Sequence, residues 1–270
     1  MEKGFTLVIP IYNKINTLQR TLDSVMNNHG TYPFRCLLID DDSDDGSSEI
    51  AAQYDREHPG IFTYYKIVHH GIGSPSNARN IGIRLCDTEL IGFLDAGDDI
   101  RPGFIDRGCT FMEEHPEYSL YGNACYHHYL NEDGTDWYKP IHYTRDDVHD
   151  FHDYIDAFGG DVHFSANIYR TDLARQIMFR VEYGEDVVFK FSYIYKFPHI
   201  YIDNSTCESV VWNYDSNDSG PWCIQRTNKH WLVEIMDNVK QVVPDFGKEY
   251  EFYWDDETQE VRYQRWYLNE

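Results

Sequence analysis

The sequence predicts an α/β fold in which helices cover both faces of a mostly parallel sheet. Over the first hundred residues, four short apolar runs alternate with segments of helical periodicity. This alternation requires right-handed crossover connections between parallel strands. Three of the four runs end in loops rich in Asp, Asn or Arg. Because sheets of this kind bind ligands at the carboxyl ends of their strands, these loops mark the expected site.

The elements of the first half follow from run length, periodicity and capping residues. Apolar runs too short for helices predict strands at residues 5–10, 34–39, 62–68 and 90–94. Asn13 can cap a first helix, in which apolar residues recur at helical spacing up to Met26. Further helices are predicted at residues 48–57 and, after a loop rich in Gly, Ser, Pro and Asn, at residues 78–85.

The second half is less regular. Its predicted helices are residues 104–114, 171–176, 185–195 and about 225–243, and its predicted strands are residues 119–126, 162–169, 200–204 and 209–213. Residues 127–160 are rich in His, Tyr and Asp and poorly periodic, which predicts a long functional loop or an irregular region. Residues 214–221 predict another loop, and segments 250–254 and 261–267 predict a hairpin.

Composition limits the classes of partner and compartment. The net charge of −23 is strongly acidic and no cluster of Lys or Arg interrupts it, so the charge does not favour a nucleic-acid partner. The six cysteines include no Cys-x-x-Cys pair, which predicts reduced, mostly buried thiols rather than disulfides or a zinc site. The N-terminus lacks the layout of a signal peptide and no apolar run is long enough for a transmembrane segment, so we expect a cytoplasmic protein.

The most informative segment is residues 90–102, where an apolar run ends in three carboxylates. Asp95, Asp98 and Asp99 surround Gly97. A buried strand that delivers acidic side chains to its carboxyl end is a common way to hold a divalent cation beside a phosphate. Asp and Gly also fill ordinary turns, so this segment alone leaves a metal site and a simple turn as alternatives.

Several short motifs follow one another along the chain. They are Ile9-Pro10-Ile11-Tyr12-Asn13, Asp40-Asp41-x-Ser43-x-Asp45-Gly46, Asn77-Ala78-Arg79-Asn80-x-Gly82, Phe93-Leu94-Asp95-x-x-Asp98, Asn167-Ile168-Tyr169-Arg170 and Gly184-Glu185-Asp186-x-x-Phe189. In this order and spacing they resemble the family 2 inverting glycosyltransferases of the GT-A fold. The resemblance implies a Rossmann-like GT-A domain over residues 1–220 with a variable acceptor-side C-terminal region. It leaves residues 221–270 as a helix and hairpin extension packed on the same domain.

On the donor side, the resemblance implies a nucleotide-sugar site, with UDP as the expected nucleotide. Asp41 is similar to the family carboxylate that accepts the uracil N3–H, and Tyr12 is placed to pack against the base beside Pro10. Arg79 can pair with base or phosphate oxygens through its planar fork. The remaining donor-site residues in the matched motifs are Asn13, Ser43, Asp95 and Ala96.

For the chemistry, the resemblance implies a single inverting displacement at the anomeric carbon. Asp95 and Asp98 would hold Mn²⁺ or Mg²⁺, which neutralises charge on the departing nucleoside diphosphate. Asp186, with Glu185 as the second candidate, would take the proton from the acceptor hydroxyl. Acids in a first helical turn also complement the helix dipole without any catalytic role. Gly97 is a departure, because it stands where the family often has the second carboxylate of Asp-x-Asp.

Two other functions stay open on the sequence. A catalytically inactive nucleotide-sugar or carbohydrate-binding protein has Gly97 as its support. A nucleotidyltransferase would need a Gly-rich loop with Lys or Arg after the first strand, which Ile11-Tyr12-Asn13-Lys14-Ile15 does not supply. For a hexosyl- or pentosyltransferase, the acceptor hydroxyl would lie on a glycan, a lipid-linked sugar, a protein or a modified base. The thirteen histidines show no convincing metal-ligand spacing, so most are predicted to be surface or structural residues.

Overall fold

A mixed β-sheet of ten strands and a separate two-stranded hairpin organise the described part of the chain. The computed structural model describes residues 1–28, 30–68, 75–130, 135–143, 146–158, 163–180, 184–212, 231–255 and 260–265. The strands are β1 (Glu2–Ile11), β2 (Phe34–Asp40), β3 (Phe62–Lys66), β4 (Thr88–Phe93), β5 (Asp99–Ile100), β6 (Leu120–Leu130), β7 (Asp136–Ile141), β8 (Asp147–Val148), β9 (Ile168–Arg170), β10 (Ile200–Trp212), β11 (Tyr250–Asp255) and β12 (Glu260–Arg265).

Helices connect most of these strands. They are α1 (Leu18–Met26), α2 (Ser47–Glu57), α3 (Pro75–Leu85), α4 (Phe104–Glu114), α5 (Phe151–Phe158), α6 (Thr171–Ile177), α7 (Glu185–Lys196), α8 (Trp231–Val242) and α9 (Phe246–Glu249), with a 3-10 helix at Phe164–Ala166. β1, β2 and β3 are each followed directly by a helix, as the alternation of the sequence predicts, and the short β5 lies between β4 and α4.

The strand order brings several strand ends to one edge of the sheet. The main path runs β3-β2-β1-β4-β9-β6-β10-β5, with β7 paired to β6 and β8 to β10. β1 is parallel to β2 and β4, β2 is parallel to β3, and β6 is parallel to β10, whereas β9 runs antiparallel between β4 and β6. The strands β1, β2, β4 and β6 therefore point the same way and end at the same edge. The predicted mostly parallel sheet is confirmed.

A hydrophobic core lies on each face of the sheet because strand side chains alternate between the faces. Along β1, Val8 joins one core, and Leu7 and Ile9 join the other. The core on the Val8 side also receives α7 and α8, through residues such as Phe191 and Val239. Full burial of such a side chain contributes roughly 1.5–3 kcal/mol. α8 thus shares the core of the main sheet, while the expected division of the chain at residue 220 stays a prediction.

Two local predictions are wrong. α1 begins at Leu18 with Thr17 as its N-cap, so Asn13 does not cap this helix. Asn13 instead adopts a left-handed backbone conformation (φ 50°). The strand predicted at residues 162–169 is reduced to β9, and residue 162 lies outside the described ranges. The amide of Asn167 donates to the His163 carbonyl (3.1 Å) and holds the intervening residues in the 3-10 turn.

The region 127–160 contains more regular structure than its sequence predicts. β6 continues to Leu130 and pairs with β7, and α5 buries Phe151 and Tyr154 in the core. All β7 side chains are exposed or half-exposed, so the sequence lacks the apolar alternation that marks a strand. β10 is one strand rather than two, because its pairing with β6 continues across two register shifts.

The C-terminal elements agree with the sequence where the chain is described. β11 and β12 form the predicted antiparallel hairpin, and α8 covers the later part of the predicted helix. The predicted loop at 214–221, residues 225–230 and residues 266–267 lie outside the described ranges. Five cysteines are described, and all five are buried and not disulfide-bonded, as predicted, whereas Cys223 is outside these ranges. None of the helices in the described ranges combines the length and the apolar character that crossing a bilayer needs.

Candidate active site

The loops that follow β1 and β2 are joined by hydrogen bonds at the shared edge. Asn13 N donates to Ser43 Oγ (3.1 Å), and Lys14 N donates to Ser47 Oγ (2.7 Å). In return, Asp44 N donates to Asn13 Oδ1 (3.0 Å). The left-handed conformation of Asn13 lies at the turn where these bonds form. The two loops therefore hold one another in place.

Two adjacent aspartates at the end of β2 have different roles in this turn. Asp40 is fully buried and accepts hydrogen bonds from Ser43 N (2.9 Å) and the Tyr64 hydroxyl (2.8 Å). Burial alone would raise the pKa of Asp40, but the hydrogen bonds from Ser43 and its neighbours outweigh burial and hold the pKa below its ordinary value. Asp41 is also buried, and its amide donates to the Ile11 carbonyl (2.8 Å). Asp40 thus stabilises the turn, which fixes Asp41 between the ends of β1 and β2.

The loop after β4 is tied to the same region. The Thr17 hydroxyl donates to the Ala96 carbonyl (2.9 Å), and Arg20 Nε donates to Asp99 Oδ1 (3.0 Å). A second Arg20 nitrogen donates to the Gly97 carbonyl. The loops at residues 12–15, 41–47 and 94–99 therefore form one connected surface, which we call the donor rim. Within it, Asp99 is engaged by Arg20.

Arg79 lies at this edge and joins β4 to α7. Only 3% of its side chain is exposed, and it donates to Asp95 Oδ1 (2.7 Å) and to Glu185 Oε1 (2.6 Å). Its guanidinium lies over the rings of Phe164 and Phe179, at 4.9 and 5.3 Å from their centroids. Charge-assisted bonds of this kind compensate the cost of burying the charge. The buried guanidinium of Arg79 therefore binds one carboxylate from the loop after β4 and one from the start of α7.

The two carboxylates on Arg79 have pKa values shifted in opposite directions. The partial burial of Asp95 opposes its ionisation, but Arg79, then His163 and Lys14, outweigh this effect and hold the pKa of Asp95 below its ordinary value. Burial raises the pKa of Glu185, and the negative charge of Asp186 adds to this against the effect of Arg79. The site therefore contains one carboxylate that stays ionised easily and one that ionises with more difficulty, a common arrangement at functional sites.

The start of α7 is fixed by a glycine. Gly184 has a left-handed conformation (φ 60°), and a Cβ at this position would lie 2.8 Å from Ile235 Cδ1 of α8. A side chain at residue 184 would therefore collide with α8 as well as strain the backbone. The turn places Glu185 and Asp186 in the first turn of α7.

Sequence reasoning missed two residues of the site, Ser165 and His163. Ser165 Oγ accepts a hydrogen bond from Asp95 N (3.3 Å) and donates to Asp98 Oδ2 (2.7 Å). His163 Nε2 lies 3.7 Å from the same Asp98 oxygen. These contacts arise because β9 inserts beside β4, which joins residues 67 positions apart. No local spacing in the sequence signals such a contact.

Asp95 and Asp98 are the residues of this group that could hold a divalent cation. Their oxygen donors are the type that Mg²⁺ and Mn²⁺ prefer. Asp95 is 44% exposed and Asp98 is buried, so one carboxylate faces solvent and the other is held by the protein. A Cβ at Gly97 would meet Thr17 Oγ1 at 3.8 Å, an ordinary contact distance. The position therefore has room for a Cβ, and the oxygen donors of Asp95 and Asp98 are of the type that suits a hard cation.

The structure brings most of the predicted site residues to one edge. Arg79, Asp95 and Glu185 are in direct contact. The donor rim contains Tyr12, Asn13, Asp41, Ser43, Ala96 and Asp98. Pro10 pairs with Ile39 one residue before the end of β1, and Asp186 follows Glu185 in α7. The roles of these residues stay predictions.

The sequence matches the model of one protein family, described as glycosyl transferase family 2, over residues 6–177. This match covers well over half of the 270 residues and includes the whole donor rim. The chain belongs to glycosyl transferase family 2. The predicted membership is therefore confirmed, whereas Glu185 and Asp186 lie beyond the matched range.

Curated relatives of this family 2 chain include one protein named for teichoic acid and one named for poly(ribitol-phosphate). The minor teichoic acid biosynthesis protein GgaB of Bacillus subtilis is 31% identical over 112 residues, which are 41% of this chain and 12% of GgaB. The poly(ribitol-phosphate) beta-glucosyltransferase of Bacillus spizizenii is 30% identical over 112 residues, which are 40% of this chain and 17% of that protein. The chain thus spans only a small part of the length of the relatives it matches.

Solved structures with a similar fold include TarS and a mannosyltransferase. TarS of S. aureus (residues 1–349), solved with UDP-GlcNAc, has a TM-score of 0.68 and 18% identity, over 89% of this chain and 67% of that chain. The mannosyltransferase PcManGT of Pyrobaculum calidifontis, solved with GDP-Man and Mn²⁺, has a TM-score of 0.64 and 14% identity, over 91% of this chain and 67% of that chain. At these identities the likeness concerns the fold, and the predicted GT-A fold is confirmed.

Proposed function

We propose that this family 2 chain is an inverting glycosyltransferase, which moves a sugar from a UDP-sugar to an acceptor hydroxyl with the help of a divalent cation. The Arg79 bridge carries the proposal, because it joins Asp95 on the donor rim to Glu185 at the start of α7. A transfer reaction needs a donor and an acceptor held against one another in fixed geometry. Membership of the family supports the class of reaction.

The nucleotide would bind to the first two loops of the donor rim. Tyr12 is 52% exposed, so its ring is available to stack on a base. Asp41 would accept the uracil N3–H, and Pro10, Asn13 and Ser43 would shape the loop around the base. TarS, solved with UDP and with UDP-GlcNAc, and PcManGT, solved with GDP-Man, share this fold. Their ligands support a nucleotide-sugar donor, and Asp41 is the reason to favour UDP.

The diphosphate would lie beside Asp95, Ala96 and Asp98. Mn²⁺ or Mg²⁺ bound to the two carboxylates would neutralise the charge that develops on the departing nucleoside diphosphate. Both terminal nitrogens of Arg79 already bind carboxylates. We therefore assign Arg79 to positioning Asp95 and Glu185 rather than to contact with phosphate.

Asp186 would act as the general base. The Glu185 carboxylate is engaged by Arg79 at 2.6 Å, which leaves Asp186 as the better candidate in the first turn of α7. As the acceptor oxygen forms its bond to the anomeric carbon, the bond from that carbon to the phosphate oxygen breaks. The hydroxyl proton passes to Asp186 and the electron pair leaves with UDP. One such displacement inverts the anomeric centre.

The test is release of UDP from a panel of UDP-sugars in the presence of Mn²⁺. Removal of a general base typically costs about 10²–10⁴-fold in rate, so we expect Asp186→Asn to lose activity on that scale while it still binds UDP. Asp172→Asn is the matched control, because Asp172 is also an acid in the first turn of a helix, α6. The control should keep the wild-type rate.

A second outcome of the same test would identify a different function. Gly97 stands in place of a family carboxylate, which is the feature that favours a nucleotide-sugar-binding protein without catalysis. Saturable UDP binding together with no UDP release from any donor would support that function and contradict the transferase. Equal rates for wild type and Asp186→Asn would contradict the assignment of the base.

The acceptor would approach over a group of aromatic side chains at the end of β6. Tyr129 and Trp137 rings lie 4.9 Å apart, and Tyr126 and Tyr138 rings 6.4 Å apart, which defines an aromatic patch of four residues on β6 and β7. The patch lies at the same edge as Asp98, because β6 ends where β4 ends. Trp137 and Tyr138 are exposed, which suits stacking on a sugar ring.

A further inference from the structure

A cluster of two histidines and one aspartate lies outside the candidate active site. Asp147 and His149 come from β8 and the residue that follows it, and His199 directly precedes β10. His149 Nε2 lies 3.0 Å from one Asp147 oxygen, and His199 Nε2 lies 4.0 Å from the other. All three potential ligand atoms lie within 4.8 Å of one another. We call these three residues the His–Asp cluster.

The His–Asp cluster lies at the edge of the sheet opposite the donor rim. His199 stands at the amino end of β10, and β10 is parallel to β6, which points the same way as β4. Asp95 follows the carboxyl end of β4. The cluster and the carboxylates proposed for the donor therefore lie at opposite ends of the strands.

One nitrogen of the cluster has an unusual environment. His199 Nε2 is shielded from solvent and makes no hydrogen bond to any residue that the structure describes. A shielded imidazole nitrogen without a hydrogen bond is costly unless another group binds it. One oxygen of Asp147 lies 4.0 Å from this nitrogen, a distance too long for a hydrogen bond. The nitrogen thus faces a carboxylate across a gap of the size that a metal ion fills.

We propose that Asp147, His149 and His199 bind a divalent transition-metal ion of the zinc class. Zn²⁺ binds imidazole nitrogen and carboxylate oxygen at about 2.0–2.2 Å, which in a tetrahedral site separates ligand atoms by about 3.3 Å. His149 Nε2 lies 3.0 Å from one Asp147 oxygen and His199 Nε2 lies 4.0 Å from the other, one separation below this value and one above it. Asp147 and His149 are exposed, so an ion can enter from solvent and keep water as a further ligand.

Surrounding groups support the three ligands. The Tyr118 ring packs against His199 at 4.4 Å, and the Tyr118 hydroxyl donates a hydrogen bond to Asp147. Glu117 lies close enough for its charge to interact with His199. Partners of this kind orient ligands and add negative charge around a cation. The cluster offers two imidazoles and one carboxylate, whereas Asp95 and Asp98 offer only oxygen atoms. Since imidazole favours Zn²⁺ over Mg²⁺, the cluster and the Asp95–Asp98 pair suit different ions.

A bound ion would connect two parts of the acceptor side. Residues 147 and 149 begin the segment that leads into α5, and residue 199 begins β10. β8 pairs with β10 at two positions, Ile200 with Val148 and Tyr201 with Asp147, so a bound ion would add a third link between them. An ion that binds the folded chain and not the unfolded chain stabilises the fold, and this stabilisation grows with the logarithm of the ion concentration once that concentration exceeds the Kd.

The experiment is a titration of the metal-free full chain with ZnSO₄ by isothermal calorimetry, repeated with MgCl₂. We expect one equivalent of Zn²⁺ to bind the cluster, no competition from Mg²⁺, and binding weakened at least about tenfold in His149→Ala. His199→Ala should weaken binding as much, and His149, at 62% exposure, provides the variant least able to disturb folding. His58→Gln, which changes a histidine beside the Tyr54 ring at the end of α2, is the matched control and should bind as wild type does.

Two results would overturn the proposal. One is the absence of a stoichiometric Zn²⁺ site in the wild-type chain. The other is a site that survives both His149→Ala and His199→Ala but is lost in Asp98→Asn, which would place the ion at the donor rim near His163. Addition of Co²⁺ provides a second readout, because its visible absorption should change from the aqueous spectrum in wild type and not in His149→Ala.

Discussion

The side of the site proposed for the donor and the side proposed for the acceptor are held together in different ways. On the donor rim, backbone amides bind side-chain oxygens, as Asn13 N binds Ser43 Oγ. On the acceptor side, aromatic rings provide the contacts, and Phe179 stacks on Phe189 of α7 at 4.2 Å. The first arrangement depends on a few polar atoms in fixed geometry, whereas the second depends on packed volume.

Arg79 belongs to both arrangements. It binds Asp95 on the donor rim, and it also packs on Phe164 and Phe179, whose rings form part of the aromatic core. The two sides therefore differ in what holds them, and Arg79 joins them, together with the hydrogen bonds of Ser165 to Asp95 N and Asp98. Changes at Arg79 should therefore affect both sides, whereas changes at residues that contact only one side should affect that side alone.

The largest effect is expected from Arg79→Ala. Removing one partner from a buried ion pair typically costs about 3–5 kcal/mol, because it leaves an uncompensated charge, here Glu185. We expect the free energy of unfolding, measured by urea denaturation, to fall on that scale. In a Glu185→Gln background the loss should be smaller, because the uncompensated charge is gone. If Arg79→Ala lowered the free energy of unfolding by less than about 1 kcal/mol in the chain that keeps Glu185, Arg79 would not join the two sides.

A smaller effect, confined to the donor rim, is expected from Asp40→Asn. Loss of a buried, hydrogen-bonded carboxylate should lower the free energy of unfolding by roughly 1–3 kcal/mol near neutral pH. The pKa of Asp40 is lowered in the folded chain. The stabilisation that the ionised Asp40 gives to the fold is therefore fully present above the ordinary carboxyl pKa of about 3.9. It is lost as the pH falls through the pKa of Asp40 in the folded chain. The difference from wild type should shrink accordingly in urea denaturation at decreasing pH.

Asp44→Asn is the control for this pH dependence, because Asp44 is exposed and joins the rim through its backbone amide. It should change stability little at any pH. If the Asp40→Asn deficit stayed constant or grew as the pH fell, hydrogen bonds to an ionised Asp40 would not be what holds the donor rim.

The smallest effect on stability is expected from Trp137→Ala in the aromatic patch. Trp137 is 48% exposed, so the free energy of unfolding should change by no more than about 0.5 kcal/mol. If the patch binds the acceptor, KM for a saccharide acceptor should rise by about tenfold while the affinity for UDP stays the same. Tyr253→Ala removes an aromatic side chain of 45% exposure from β11 and should change neither value. Equal KM values for Trp137→Ala and Tyr253→Ala would contradict the proposal that the aromatic patch binds the acceptor.

Much of the donor side could be predicted from the sequence because its signals are local. Each strand there is a short apolar run, and each run ends in a motif such as Asp40-Asp41. The parallel topology then places these motifs at one edge. Asn13 is the exception, since a side chain suited to a helix cap serves the neighbouring loop instead.

The acceptor side could be predicted less well because its structure depends on long-range contacts. β7 has no apolar alternation and exists through pairing with β6. His163 and Ser165 reach Asp98 only because β9 inserts between β4 and β6. His149 likewise shows no ligand spacing of its own, because its neighbour His199 is 50 positions away and comes close only when β8 pairs with β10. Chemistry that depends on such pairing has no local signature.

The most direct test of the proposed function is a calorimetric titration of UDP into the wild-type chain and into Asp41→Ala, both with Mn²⁺. If the ends of β1, β2 and β4 bind the nucleotide of the donor, UDP should bind one to one and more tightly than ADP. Asp41→Ala should weaken UDP binding at least about tenfold, since a buried hydrogen bond to the base is lost. The variant Asp44→Ala, on the same rim, should bind as wild type does. No saturable binding of UDP, or equal affinity in wild type and Asp41→Ala, would contradict a nucleotide-sugar site at this edge.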